Sequence, residues 1–570
     1  MNAPSPYTSE VAGLFAEKTL KTSKSLAFPV FNRVSQFSNT QRPEGFRVKA
    51  ILRRRRTNNK RRQANIQRRL ANSKRRIQRR LDKTDLRDCS QPIMTASNIQ
   101  FEIAERSRGI SVGGIGAMHQ LVRHLGLSEA IDRRLELLKF HFPYHESDHV
   151  LAIAYLPCCG GTCLQDLELL RNDEVFLDAL GARRIPDPTT AGDFCRRFSK
   201  DNIDTLQDII NDTRLKVWAE QPAAFFTQAI IDMDGFLVET TGQCKQGMDI
   251  AYDGTWGYHA LVLTLANTGE VLSVVNRSGN RPSQEGAATE VARALEVCFD
   301  GGFQEVLLRG DCKFAQTEHL DGWDDDARVK FIFGYEAKPN LKAIADELPP
   351  CAWRPLQRPA RYTIKTKPRQ QPDNVKEEVV KARQFENRRL QSEEVAEFNY
   401  RPTACQKTYR MVVVKKNLSV AKGELRLFDD IVYFFYITND WVSEADEIVF
   451  SANDRCDQEN LLAHLHSGVR ALRAPLDNLE SNWAYMVLTA LAWNLKAWWA
   501  LTLPETAGRW QGQHQADKRW VLRLEFKTFV NAFIRLPCQI IRTGRKLIYR
   551  LLSWNPYQAI FFRLIDVLRC

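Results

Sequence analysis

No aspartate or glutamate interrupts the 33 residues from Lys49 to Leu81, which carry fifteen Lys or Arg. Setting those fifteen aside leaves 66 basic against 68 acidic residues, so the formal charge of +13 is a local device. Charge of one sign concentrated in this way marks a polyanion-binding segment. The thirteen cysteines have no framework: Cys158, Cys159 and Cys163 in PCCGGTC lack a second pair, or a His pair, at zinc-ligand distance, so they read as buried or incidental thiols. The chain opens without a signal-peptide pattern, and its thiols suit a reducing cytoplasm. One run alone, WAYMVLTALAWNLKAWWALTL from Trp483 to Leu503, approaches membrane-spanning length, and Asn494 and Lys496 interrupt it. It reads as a buried core helix, and no membrane association is expected.

What is present is the composition of a globular protein, 44% hydrophobic and 10% aromatic over 570 residues, long enough for roughly three or four domains. Residues 1–48 are polar, rich in Ser and Thr, and expected to be disordered. The basic segment, 49–96, contains a short repeat: IQRRL at Ile66–Leu70 recurs at Ile77–Leu81. An eleven-residue period is close to three helical turns, so Ile66, Leu70, Ile77 and Leu81 share a stripe on an arginine-covered helix. With no acids to balance them, Arg68, Arg69, Arg79 and Arg80 repel one another unless phosphates neutralise them, which favours nucleic acid.

Residues 97–225 carry apolar residues at three- and four-residue steps and read as a helical DNA-binding domain; in it, PDPTTAGDFCRRF predicts a loop, a threonine N-cap and a helix. From 226 to 340 the pattern becomes three strand-like runs, a helix, a strand, a helical stretch and a last strand. Such an order gives a mixed α/β sheet with helices packed on it. Residues 341–445 interrupt it with a β-rich insertion subdomain, helices return over 446–505, and 506–570 alternate basic and apolar side chains as a cationic C-terminal tail.

Within the strand-rich region, IIDMDG places Asp232 and Asp234 two apart, on one face of a strand. Asp311 ends the strand EVLLRGD, and Glu459 opens the helix after the insertion. Two aspartates on neighbouring strands and a glutamate on a helix can converge on Mg²⁺ or Mn²⁺, which favour hard oxygen ligands. A pair of such ions activates the attacking oxygen and stabilises the leaving one in phosphodiester cleavage. Each acid alone is as well explained by a turn, a cap or a solvated helix face; the three together in this order are more specific.

At these residues the sequence resembles the DDE transposases of bacterial insertion sequences, with their ribonuclease H-like core. It is most similar to the group called thirteen-eighty, related to the insertion-sequence-four superfamily, from about residue 97 to the C-terminus. The resemblance rests on Asp232-x-Asp234, GYHAL (Gly257–Leu261), RSGNRPS (Arg277–Ser283), Arg309-Gly310-Asp311 with Phe314, and Arg455 with Glu459. It implies a five-stranded mixed sheet and a metal-binding triad of Asp234, Asp311 and Glu459 that holds two Mg²⁺ or Mn²⁺ ions. Asp232 stands as alternative or companion for the first position. Arg455, one turn before Glu459, is placed to hold a phosphate. Two positions depart from the family: His466 stands where a lysine is usual, and Ala452 where a tyrosine is usual.

The implied activity is binding of terminal inverted repeats, metal-dependent strand cleavage and strand transfer into target DNA. A homodimer in a synaptic complex and a cytoplasmic, nucleoid-associated location in a bacterium go with it. Arg281 and Lys313 lie near the acids and are candidate phosphate contacts, each also readable as a surface charge. His259 reads as structural or DNA-contacting, and the tryptophans at 483–499 as core. The competing functions are a nuclease on the same core, a catalytically silent DNA-binding descendant, and a basic RNA-binding protein.

Overall fold

The computed structural model describes residues 44–81, 96, 99–101, 107–358, 375–383, 390–418, 420–421, 424–425, 430–544 and 546–569. The chain divides into two units, Met1–Arg68 and Arg69–Cys570. Residues Glu44–Leu81 form one helix, α1. From Lys60 to Arg80 its half-buried positions include Ile66, Leu70 and Ile77, whereas Arg68, Arg69, Arg79 and Arg80 are exposed. Leu81, the last member of the expected stripe, lies outside the described side chains, as do residues 1–43.

The second unit begins with helices α2 (Ile115–Leu125), α3 (Leu127–Arg134), α4 (Glu146–Cys158) and α5 (Lys200–Trp218). Among the shorter helices between them, Pro188–Cys195 corrects the expected threonine cap. Its N-cap is Asp187, whose side chain accepts the Thr190 N–H at 2.9 Å. Pro188 fixes the first helical φ and has no N–H to leave orphaned, so the cap falls before it.

The sheet is built on β1 (Gln228–Glu239), β2 (Trp256–Leu265), β3 (Glu270–Val275), β4 (Glu305–Gly310) and β5 (Val329–Tyr335). Their spatial order is 3-2-1-4-5: the first three form an antiparallel meander, and β4 and β5 run parallel to β1. Helices α6 (Ala287–Asp300) and α7 (Thr317–Asp324) make the two crossovers, as a parallel connection requires. Apart from a short hairpin pairing Val420–Ala421 with Glu424–Leu425, the insertion adds its described strands to this sheet. Its strands β6 (Ser392–Tyr400), β7 (Tyr409–Asn417) and β8 (Ile431–Thr438) continue it antiparallel, with Phe435 opposite Tyr335 and Thr438 opposite Ile332. The apolar runs TYRMVVV and IVYFFYIT thus extend β5 outward in the order 5-8-7-6.

After β8 come α8 (Ala445–Asp454), α9 (Cys456–Ala463) and the apolar α10 (Leu479–Leu501). Every residue of α10 from Ser481 to Leu501 is buried, against α4, α5 and β3. Among the described residues no helix is long and apolar enough to cross a membrane. The Asn494 that breaks the apolar run closes the outer edge of β3, accepting the Val271 N–H at 2.8 Å and donating to its carbonyl at 3.0 Å. Gln207 of α5 and Trp483 of α10 do the same at Val274. A sheet edge that neither water nor another strand reaches needs such partners. The segment read as a cationic tail also folds: strands β9 (Cys538–Thr543) and β10 (Lys546–Leu551) form an antiparallel pair, and β9 also pairs with Gly109–Ile110. Phe526, Phe529 and Phe533 before them are buried.

Candidate functional site

The parallel register of β1 and β4 sets Asp232 opposite Arg309. Side chains two apart on a strand share a face, so Asp234 and Asp311 follow on that face as the next neighbours, just where β4 ends. The first pair is a buried clamp. Arg309 is 4% exposed and Asp232 2% exposed, and the guanidinium donates to both carboxylate oxygens at 2.7 and 2.8 Å. A third bond from Arg309 reaches the Ser451 carbonyl of α8 at 2.8 Å. Burial pushes the Asp232 carboxyl up, and Arg309 opposes that shift.

The second pair is open toward solvent. Asp234 keeps 18% of its side-chain surface and takes one bond from Arg455 at 3.1 Å. Burial, together with the neighbouring charge of Asp311, pushes its pKa up to about 6 against the pull of Arg455. Asp311 is half-buried and accepts the Lys313 backbone N–H at 2.8 Å, a turn that ends the strand. Next to Asp234 the chain needs Gly235: a Cβ there would stand 2.6 Å from His259 Nε2. His259 itself is buried and bonds through Nδ1 to the Arg281 carbonyl at 2.7 Å. Its neighbours are backbone and Gly235, which makes it a packing residue of this strand end.

Arg455 lies between α8 and α9 with helical backbone angles. One residue into the next turn, buried Gln458 donates to the carbonyls of Asp232 at 3.2 Å and Val262 at 3.3 Å, which fastens α9 to β1 and β2. Glu459 is the next residue, exposed, and among the described residues it makes no hydrogen bond or ion pair. Of the acids singled out in the sequence, Asp232, Asp234 and Asp311 are thus neighbours on two strands, and Glu459 sits on the helix docked beside them. Lys313 is exposed, and Arg281 is exposed and paired with Glu285 at 3.4 Å. Ala452 packs against the apolar cluster under α8.

Three residues around this face come from tertiary placement. His466 packs against Phe236 with the rings tilted 41° and centroids 5.2 Å apart, and Phe236 shares the face of Asp234. Arg470 and Arg473 face His466 closely enough to lower its pKa beyond what burial does. Arg470 has φ +61, a left-handed backbone that costs a non-glycine residue roughly 1–2 kcal/mol, and the buried Nε of Arg473 has no partner. Neither arginine carries a local sequence signal; only the lysine position taken by His466 points to this neighbourhood.

Two adjacent carboxylates, one held above its ordinary range by burial and by the charge of the other, form a hard-oxygen donor set that suits Mg²⁺ or Mn²⁺. A cation compensates their repulsion, and Arg455 supplies part of that charge to Asp234.

No curated protein matches the chain. Seven chains of solved structures match. One, a piggyBac transposase synaptic complex with hairpin DNA, is 10% identical with a TM-score of 0.33, over 75% of this chain and 84% of that one. The family described as transposase DDE domain group 1 matches residues 97–570, which contain every element of the sheet and all the acids on its face. The chain belongs to that family of DDE transposase domains.

Proposed function

We propose that this chain is the transposase of a bacterial insertion sequence of the thirteen-eighty group, with β1 to β5 and their flanking helices as a ribonuclease H-like core. The observation that carries the reading is the pairing of Asp234 with Asp311 at the end of two parallel strands, beside a helix that brings Arg455 and Glu459 to the same edge. Asp234, Asp311 and Glu459 would hold the divalent ions, and Asp232, with both oxygens on Arg309, fixes the strand pair beneath them. When bound, two Mg²⁺ or Mn²⁺ ions supply activation of the attacking oxygen and stabilisation of the leaving one. The chain's own residues do the rest. Arg455 opposes the burial that would protonate Asp234, and it would contact the scissile phosphate. Arg470 and Arg473, with Lys313 and Arg281, line the approach to the acids as phosphate contacts, making up the charge that His466 lacks. The arginines of α1, including Arg68, Arg69, Arg79 and Arg80, supply sequence-independent, salt-dependent affinity for the duplex.

The substrates in this reading are the terminal inverted repeats of the element and a target duplex, held in a synaptic complex by a homodimer, in the bacterial cytoplasm. The test is a reaction of the full chain with precleaved element ends, a target plasmid and Mg²⁺. Joined product that disappears in Asp311→Asn supports the proposal. Cutting without joining would make the chain a nuclease, and unchanged products in Asp311→Asn would leave it a DNA-binding protein whose acids do no chemistry.

A further inference from the structure

Away from the carboxylate site, the loop that joins α3 to α4 gathers a second set of metal-binding side chains. His141, His145 and Glu146 each bring one donor atom within 4.8 Å of the others. Glu146 is 1% exposed. Its Oε1 accepts the backbone N–H groups of Leu137 at 3.2 Å and Leu138 at 2.9 Å, so the carboxylate is fixed in place. Its other oxygen stands 3.0 Å from His141 Nε2. The His145 ring lies flat on that of His141, with centroids 4.4 Å apart and planes 11° from parallel.

Ligands about 2.0–2.2 Å from a tetrahedral zinc ion lie roughly 3.3–3.5 Å from one another. The His141–Glu146 pair is already that close, and the two exposed imidazoles have room to turn the last ångström. A carboxylate anchored through one oxygen by backbone N–H groups has the outer support that metal-binding carboxylates use. Two imidazoles and one carboxylate favour a borderline ion such as zinc over Mg²⁺.

The stretch HESDH from His145 to His149 has the H-E-x-x-H spacing of zinc-protease helices, but the structure separates its members. His145 is the N-cap of α4, and His149 is buried with its ring stacked on Phe194 at 4.3 Å. His141 takes the place that the spacing would give to His149, and Glu146 stands among the ligands.

We propose that His141, His145 and Glu146 bind one zinc-type ion, with the fourth position left to water. The ion staples the loop before α4, which carries exposed Phe140 and Phe142, to the start of that helix. The inference does not depend on the role of Asp234, Asp311 and Glu459.

The experiment compares the full chain with His141→Ala/His145→Ala, two exposed positions whose loss leaves the core intact. Zn²⁺ is titrated against a chromophoric chelator, and tryptic cleavage after exposed Lys139 is followed with and without Zn²⁺. The site predicts one fewer tightly bound zinc per chain in the variant. It also predicts that Zn²⁺ slows cleavage after Lys139 about tenfold or more in the wild type and leaves the variant unaffected. Equal zinc stoichiometry in the two proteins, or binding at that site only at millimolar zinc, overturns the site. Loss of one zinc with equal cleavage rates overturns the staple.

Discussion

Replacing Arg309 with methionine tests how the face is held together. The substitution keeps most of the side-chain volume but removes two bonds to Asp232 and the bond to the Ser451 carbonyl. Asp232 is then left 2% exposed with no bonded cation, only the more distant charge of Arg455. Breaking a buried ion pair from one side costs about 3–5 kcal/mol, because the remaining charge stays desolvated. The second unit runs from Arg69 to Cys570; at an unfolding entropy of about 2.1 cal/mol/K per residue its transition moves roughly 1 °C per kcal/mol and should fall by about 3–5 °C. The double variant Asp232→Leu/Arg309→Met removes both charges and should recover to within about 1–2 kcal/mol of the wild type, since paired ions and apolar isosteres nearly balance. Calorimetry on the three proteins measures both. The double variant should nevertheless remain impaired in strand cleavage, because it no longer ties β4 to α8, the helix immediately before that of Glu459. Arg309→Met melting within about 1 °C of the wild type would refute the clamp, and a fully active double variant would refute its positioning role.

Other outcomes follow from the same geometry. Asp234→Asn and Asp311→Asn should each abolish cleavage by at least about three orders of magnitude while leaving binding to element ends intact in a mobility-shift assay. In divalent-free buffer Asp234 titrates near pH 6, above its unfolded value of 3.8. The native state therefore holds the extra proton between those values, and stability falls as pH rises through that window, by up to about 3 kcal/mol. Denaturant unfolding at pH 4 to 7 should show this slope, and Asp234→Asn should flatten it. Arg470→Ala and Arg473→Ala should weaken DNA binding uniformly across sequences and lower the salt slope by about one each, read from affinity against salt concentration. Neutralising Arg68, Arg69, Arg79 and Arg80 together should lower it by about four.

Local chemistry wrote much of this protein into its sequence. The period-2 alternation of IIDMDG puts Asp232 and Asp234 on one face whatever surrounds them. The order of strand and helix signals from 226 to 340 gives the sheet its members, and the acid-free run from Lys49 to Leu81 gives the polyanion-binding helix. Asn494 was visible as a flaw in an apolar run; only the neighbouring open edge of β3 gives it a purpose. What the tertiary structure decided is register and juxtaposition. Asp232 and Asp234 are equivalent in local pattern, and it is the pairing of Asp232 with Arg309, 77 residues away, that buries the first and leaves the second beside Asp311. The same holds for the insertion strands, whose apolar runs read as a β-rich subdomain and which β8 joins to the main sheet at β5. Arg470 and Arg473 matter only because the chain folds back over Phe236. Periodicity fixes which way a side chain points, but the partner it meets depends on contacts between distant segments, which no local window contains.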